Sequence, residues 1–258
     1  MKKIIIMNFV LGKKRKFALK NILLLFAIIC LTNSISASTN NTGAIKLEKN
    51  KFKIVFSEKE PGPLKIALEA FKKDFFNVMG FVPEVVNKMD QDNSIPEIVI
   101  VNQTSGALNI PSGNDKKLDG FESHRLFADS EANKIYLEGF DLRGTIYAIY
   151  TFSEKFLDVP PLHYWCSWVP VKKDKILIAG DCNIFFKSPQ VRYRSILPGD
   201  QDFFNPWKKL SMENENVWLE TVLRLKLNTV ETYSTIEPGY KLTDYAYLIH
   251  KYGLVITS

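Results

Sequence analysis

Cysteine and histidine are both scarce, at three residues each in 258. Cys30, Cys166 and Cys182 make no CxxC pair, and no HExxH motif joins His124, His163 and His250. Tetrahedral zinc sites draw on such local pairs, so no metal site is expected, and no cofactor either. Nor is there a disulfide framework, although Cys166 and Cys182 could pair in an oxidising compartment. Long hydrophobic runs are missing too. Ile22–Leu31 is the longest candidate, and its length of about ten residues falls short of the ~20 that span a bilayer. A real basic surplus is also lacking. The formal charge is +6, but residues 1–38 hold Lys2, Lys3, Lys13, Lys14, Arg15, Lys16 and Lys20 and no acid, and the remainder carries 34 − 7 = 27 basic against 28 acidic residues. Nucleic-acid binding therefore loses its electrostatic footing.

The basic start reads as a secretory leader. Lys13–Lys20 is the positive region, Ile22–Leu31 the apolar one, and Ser34–Ser38 a small-residue cleavage zone. Ile29 is too bulky before Cys30 for lipidation. Residues 1–38 are accordingly expected to be a signal peptide, leaving a periplasmic or secreted protein with no stable membrane span. With 46% hydrophobic residues, the rest can bury a sizeable core.

Residues 43–185 read as an α/β unit. Lys51–Ser57 alternates lysine with apolar residues, as a strand does. After Pro61-Gly62-Pro63, residues Leu64, Ala67, Leu68, Phe71, Phe75, Val78 and Met79 recur at helical spacing up to a capping Gly80. Glu97–Val101 reads as a buried central strand, and Phe121–Phe127 and Lys134–Leu137 as shorter ones around a turn at Ser130–Asn133. A helix from Asp141 to Phe156 follows, capped by Asp141, and Lys175–Ala179 closes the unit. Two helices against a small mixed sheet are expected.

From residue 190 the rhythm changes to strand (Val191–Leu197), helix (Asn216–Lys226), strand (Thr229–Tyr233), helix (Asp244–Tyr252) and strand (Leu254–Thr257). Such alternation implies parallel strands with crossover helices. A (β/α)₈ barrel takes ~250 residues, so residues 190–258 would be the incomplete start of one, and the chain is expected to be the first part of a longer enzyme. Active sites of such barrels form at the C-terminal ends of the strands. Asp200 and Asp202 follow the first strand and Glu231 lies in the second, where carboxylates can bind sugar hydroxyls or serve as acid or base. Trp165, beside Tyr164 and Trp168, can stack on a sugar ring or pack as core. A solvated turn is the plainer reading of the two aspartates.

Several segments occur in the order seen in family 115 glycoside hydrolases, the xylan α-glucuronidases. DLRGTIYAIYTFSEKF, HYWCSWVPVKKDK, VRYRSILPGDQD, LETVLRLKLNTVE and HKYGLVITS together resemble landmarks of that family over most of residues 130–258. The resemblance implies a signal peptide, a small α/β domain and a catalytic barrel acting on a xylan-like polysaccharide or oligosaccharide, with a possible homodimer at full length. It places Asp200 on a family aspartate that contacts substrate. Removal of 4-O-methyl-glucuronic acid with inversion needs two carboxyl groups ~6.5–9.5 Å apart, and the resemblance puts the catalytic pair beyond Ser258. The catalytic residues are therefore unknown in this chain, and no glycosidase activity is expected of it. The alternatives are a non-catalytic carbohydrate-binding protein and a remnant without function.

Overall fold

The computed structural model describes residues 43–110, 118–196, 212–231 and 242–257. These belong to a single compact unit, Gly43–Ser258. Strands β1 (Ile45–Glu48) and β2 (Lys53–Val55) lead into α1 (Gly62–Met79), followed by β3 (Glu84–Val86) and β4 (Glu97–Asn102). The hairpin β5 (His124–Asp129) and β6 (Lys134–Gly139) runs into α2 (Leu142–Phe156). After β7 (Lys175–Ile178) and β8 (Asn183–Phe186) come α3 (Met212–Arg224), β9 (Thr229–Glu231), α4 (Leu242–Lys251) and β10 (Val255–Thr257).

Six strands form a mixed sheet in the order β3-β2-β4-β6-β5-β8. The first four run parallel, and β5 is antiparallel to both β6 and β8. Period-two alternation sorts its side chains: Ile54, Ile98, Ile100, Leu126, Ile135 and Leu137 join the main core, while Val55, Val99, Val101, Phe127 and Tyr136 form a second cluster on the other face. Glu97–Asn102 is buried throughout, as a central strand read from EIVIV should be.

Both helices behave as their spacing predicts. Pro61 and Pro63 start α1, and Gly80 ends it in the left-handed conformation at φ 71°. Asp141 caps α2 by accepting from the Gly144 N–H at 2.8 Å. Every residue from Gly144 to Ser153 is buried, because α2 packs on the sheet and against both α1 and α3. The main core accordingly runs from Leu47 and Phe71 through Ile149 and Phe152 to Trp218, Leu248 and Leu254 without interruption.

Three differences from the sequence reading have local causes. The strand at 175–178 stays out of the large sheet and pairs antiparallel with β1, joining Ile45 to Ile178; the sheet edge is taken instead by β8. Strand β5 begins at His124 rather than Phe121, because Gly120 and Glu122 occupy positive-φ turn geometry at φ 148° and 58°. In residues 191–196 only Ser195 pairs as strand, by a parallel bridge to Thr229. Cys166 and Cys182 are both free thiols. No helix of the described residues is long and apolar enough to cross a membrane.

Among the described glycines, those at the junction of β6 and α2 leave the least room for a side chain. A Cβ on Gly139 would stand 1.9 Å from the Thr145 nitrogen, and one on Gly144 would stand 2.5 Å from the Ser123 carbonyl oxygen. Gly62, by contrast, has nothing within 4 Å. Gly139→Ala should lower stability by about 3 kcal/mol or more and Gly62→Ala by almost nothing, read as shifts in urea midpoint; equal midpoints for the two variants would contradict this packing.

Candidate functional site at the strand ends

The parallel strands give the last part of the chain a direction. Ser195, Thr229 and Val255 stand in one row, Ser195 as a single parallel bridge to β9 and Thr229 and Val255 as partners in the parallel pair β9 and β10. Below that row, at the N-terminal ends, lie Arg194, Asn228 and Leu254; above it the strands run toward Glu231 and Thr257. In (β/α) architectures chemistry belongs to the C-terminal ends and stability to the N-terminal ends.

The N-terminal ends are anchored by one buried carboxylate. Asp141, already capping α2, also accepts from the Glu122 backbone N–H at 3.0 Å and so fixes the turn ahead of β5. The Glu122 side chain is fully buried and accepts from Arg143 Nε at 2.5 Å, Arg194 Nη2 at 2.5 Å and Asn228 Nδ2 at 2.8 Å. Each partner reaches on into the strand ends. Arg143 donates to the Gly253 carbonyl at 3.2 Å, just before β10. Arg194 donates to the Lys226 carbonyl at 2.8 Å, and the Asn228 side-chain oxygen accepts from the Arg194 N–H at 2.8 Å. The Tyr147 hydroxyl on α2 donates to the Leu227 carbonyl at 3.0 Å, and burial pushes its pKa upward. The cluster is saturated with internal partners, so it braces the molecule and offers no substrate a free group.

A second brace crosses the helices. Arg224 donates from Nη2 to both carboxylate oxygens of Asp74 on α1 at 3.0 and 2.9 Å and from Nε to Glu220 at 2.8 Å, and it lies 4.5 Å from the centre of the Tyr150 ring. Elsewhere, a cleft of 460 Å³ on the outer face of the sheet is lined by Met89, Leu108, Lys134 and Tyr136. Its one buried cation is spent: Lys134 donates to the Asp90 and Ala132 carbonyls and to Asn93, and pairs with Glu97 at 3.3 Å.

The residues singled out by sequence are not gathered into one site. Glu231 ends β9, in register with Thr257, which puts its backbone at the C-terminal edge where a barrel site would form. Asp200 and Asp202 lie outside the described residues. Trp165 is half-buried, and its ring meets fully buried Trp218 edge-to-face at 6.0 Å, which places the indole against α3. Arg143 belongs to the anchor at the opposite ends of the strands. Glu122 was not singled out, since a lone acid in a loop carries no periodicity or motif.

No family model matches the chain, and no curated protein matches it in sequence. Among solved structures it is similar to a family GH115 4-O-methyl-alpha-glucuronidase, BtGH115A, described as having specificity for decorated arabinogalactans: TM-score 0.62 and 22% identity, over 82% of this chain and 29% of that one. In fold, the chain resembles a family 115 glycoside hydrolase. At that identity the likeness speaks to fold alone, and the chain spans 29% of the length of that enzyme. A weaker match, to the GH20 exo-β-N-acetylglucosaminidase of Vibrio harveyi, has a TM-score of 0.47 and 14% identity, over 83% of this chain and 33% of that one. It carries nothing further. The GH115-like fold agrees with the unit seen here, a mixed sheet with two helices and then parallel strands joined by crossover helices.

Two outcomes follow from the anchor. Glu122→Gln leaves two half-buried guanidinium groups without their buried carboxylate and should cost about 2 kcal/mol or more, measured by urea unfolding at pH 7; an unchanged midpoint would show that Glu122 is no anchor. His124, beside it, is buried, accepts or donates at Thr151 Oγ1 at 3.1 Å and stacks on Phe186 at 4.5 Å. Burial lowers its pKa to about 4. Because the unfolded imidazole takes up a proton near 6.5, this contribution is complete above pH 6.5 and is lost as pH falls toward 4. At ~1.4 kcal/mol per pH unit, the stability gap between the wild type and His124→Asn should narrow by about 3 kcal/mol from pH 7 to 4.5; a constant gap would show that His124 does not titrate this way.

Proposed function

We propose that this chain supplies the accessory α/β domain (43–185) and the first barrel strands (190–258) of an exported glycoside hydrolase acting on a xylan-like plant glycan. The observation that carries the reading is the shared direction of β9, β10 and the segment bridged at Ser195. Their N-terminal ends are fastened by Glu122, so the ends that bear Glu231, and that precede Asp200 and Asp202 in the chain, face away from the anchor. The GH115-like fold supports the same reading. A carboxylate in such a position can bind sugar hydroxyls or move a proton.

Hydrolysis with inversion needs a carboxyl pair set ~6.5–9.5 Å apart. In this reading the 258-residue chain contributes binding groups without that pair. It should bind aldouronic oligosaccharides weakly and release no glucuronic acid from them. The test is calorimetric titration of the wild type and of an Asp200→Ala, Glu231→Ala double variant, alongside an assay of sugar release. Binding lost in the variant, without turnover, is the expected result. Turnover by the 258-residue chain would overturn the division of labour, and absent or unaltered binding would overturn the assigned carboxylates.

A further inference from the structure

Glu215 lies in the first turn of α3 and is 1% exposed. The hydroxyl of Tyr245, in the first turn of α4 and itself 2% exposed, acts on the Glu215 carboxyl. Taking a carboxylate out of water without a cation is costly, and proteins avoid the cost by keeping the group protonated. Among the described residues no cation acts on Glu215. Arg224, about two and a half turns along the same helix, is committed to Asp74 and Glu220, and Lys226 pairs with Glu154 at 2.7 Å. Burial accordingly pushes the Glu215 carboxyl up to about 7, with the Tyr245 hydroxyl pulling part of the way back.

A carboxyl poised near neutrality is what general acid catalysis calls for. Its burial rules that out, because at 1% exposure Glu215 presents no surface to a substrate. We propose that Glu215 is a proton-operated latch between α3 and α4: protonated, it stays buried and holds the two first turns together, and ionised, it leaves and lets them part. The proposal rests on the barrel reading above, since both turns then stand on the side of the strand ends where a sugar site forms. The latch would tie the order of that face to pH.

Among the described residues, the other titratable groups around this interface do not supply the switch. Asp244 on α4 is exposed. Glu220 is held by Arg224, and Tyr164 from the 160–168 segment donates toward it at 3.5 Å. His163, lowered to about 4 by burial, is neutral across the range concerned. Tyr252 donates to the Asn216 side chain at 2.8 Å, and burial pushes its pKa upward, so it does not ionise.

The sign follows from a raised folded-state value: the closed latch is fully stabilised below the ordinary carboxyl range and is lost as pH rises to about 7. Amide hydrogen exchange of the 258-residue protein, corrected for intrinsic rates, reads it directly. In the wild type the opening equilibrium of amides at 215–219 and 245–249 should rise about tenfold per pH unit between pH 5 and 7 and level off above that. In Glu215→Gln it should stay flat, while amides of β4 and β6 respond alike in both proteins. Glu215→Met, which cannot titrate and buries an apolar chain, supplies the same comparison should the glutamine variant fold poorly. Wild-type exchange at these amides that is flat from pH 5 to 7, or a rise retained in both variants, would overturn the latch. Loss of sugar binding alone would count against the barrel reading and leave the latch standing.

Discussion

One buried carboxylate holds the fold together at its least obvious point. Glu122 brings its carboxyl group into the interior, where two guanidinium groups and a carboxamide meet it. The arrangement demands a backbone in the left-handed region at Glu122, φ 58°, an N–H held by Asp141, and a glycine at 144 where any side chain would strike Ser123. Remove any of these and the carboxylate is left without its partners. The segment Gly139–Arg143 is thus constrained from three directions: as the end of β6, as the cap of α2 and as part of the anchor.

The consequence runs outward from there. With the N-terminal ends of β9, β10 and the Ser195 segment pinned to α2 and to the β5 turn, their C-terminal ends have only one way to face. Arg224 then fixes the rotation of α3 through Asp74 on α1, while Trp218 and Trp165 fill the space beside it. Polar contacts set the geometry at both ends of the helical layer, and the continuous apolar core between them provides the driving force. Buried ion pairs contribute little net stability over an apolar packing, but they penalise alternatives strongly. Here the penalty falls on any other placement of the parallel strands.

Much of this was legible in the chain. The spacing of Leu64 to Met79, with Gly80 behind it, specifies α1 nearly residue by residue, and Asp141 before LRGTIYAIY specifies the cap and helix of α2. The alternation after residue 190 predicts the parallel crossovers that the Thr229–Val255 pairing realises. The short strands at 45–48, 84–86 and 183–186 escaped, since three or four residues in a polar context are below what periodicity can register, and their pairing is decided by tertiary contacts. The anchor was legible only in pieces. Arg143, Arg194 and Asn228 are far apart in sequence, and nothing local says that one acid at 122 will collect them. Of the proposed sugar-binding residues, Glu231 stands at the expected strand end, Trp165 packs on the core, and Asp200 and Asp202 fall outside the described residues.

The central claim is that the α/β unit and the parallel strands are one cooperative structure joined through Glu122, with no independent folding of the two parts. Native-state hydrogen exchange across increasing urea tests it most directly. The account predicts that the slowest amides of β4 and β6 and those of β9 and the middle of α3 merge into a single global opening with one free energy and one denaturant dependence. Separate openings, with β9 and α3 exchanging well before β4 and β6, would contradict it.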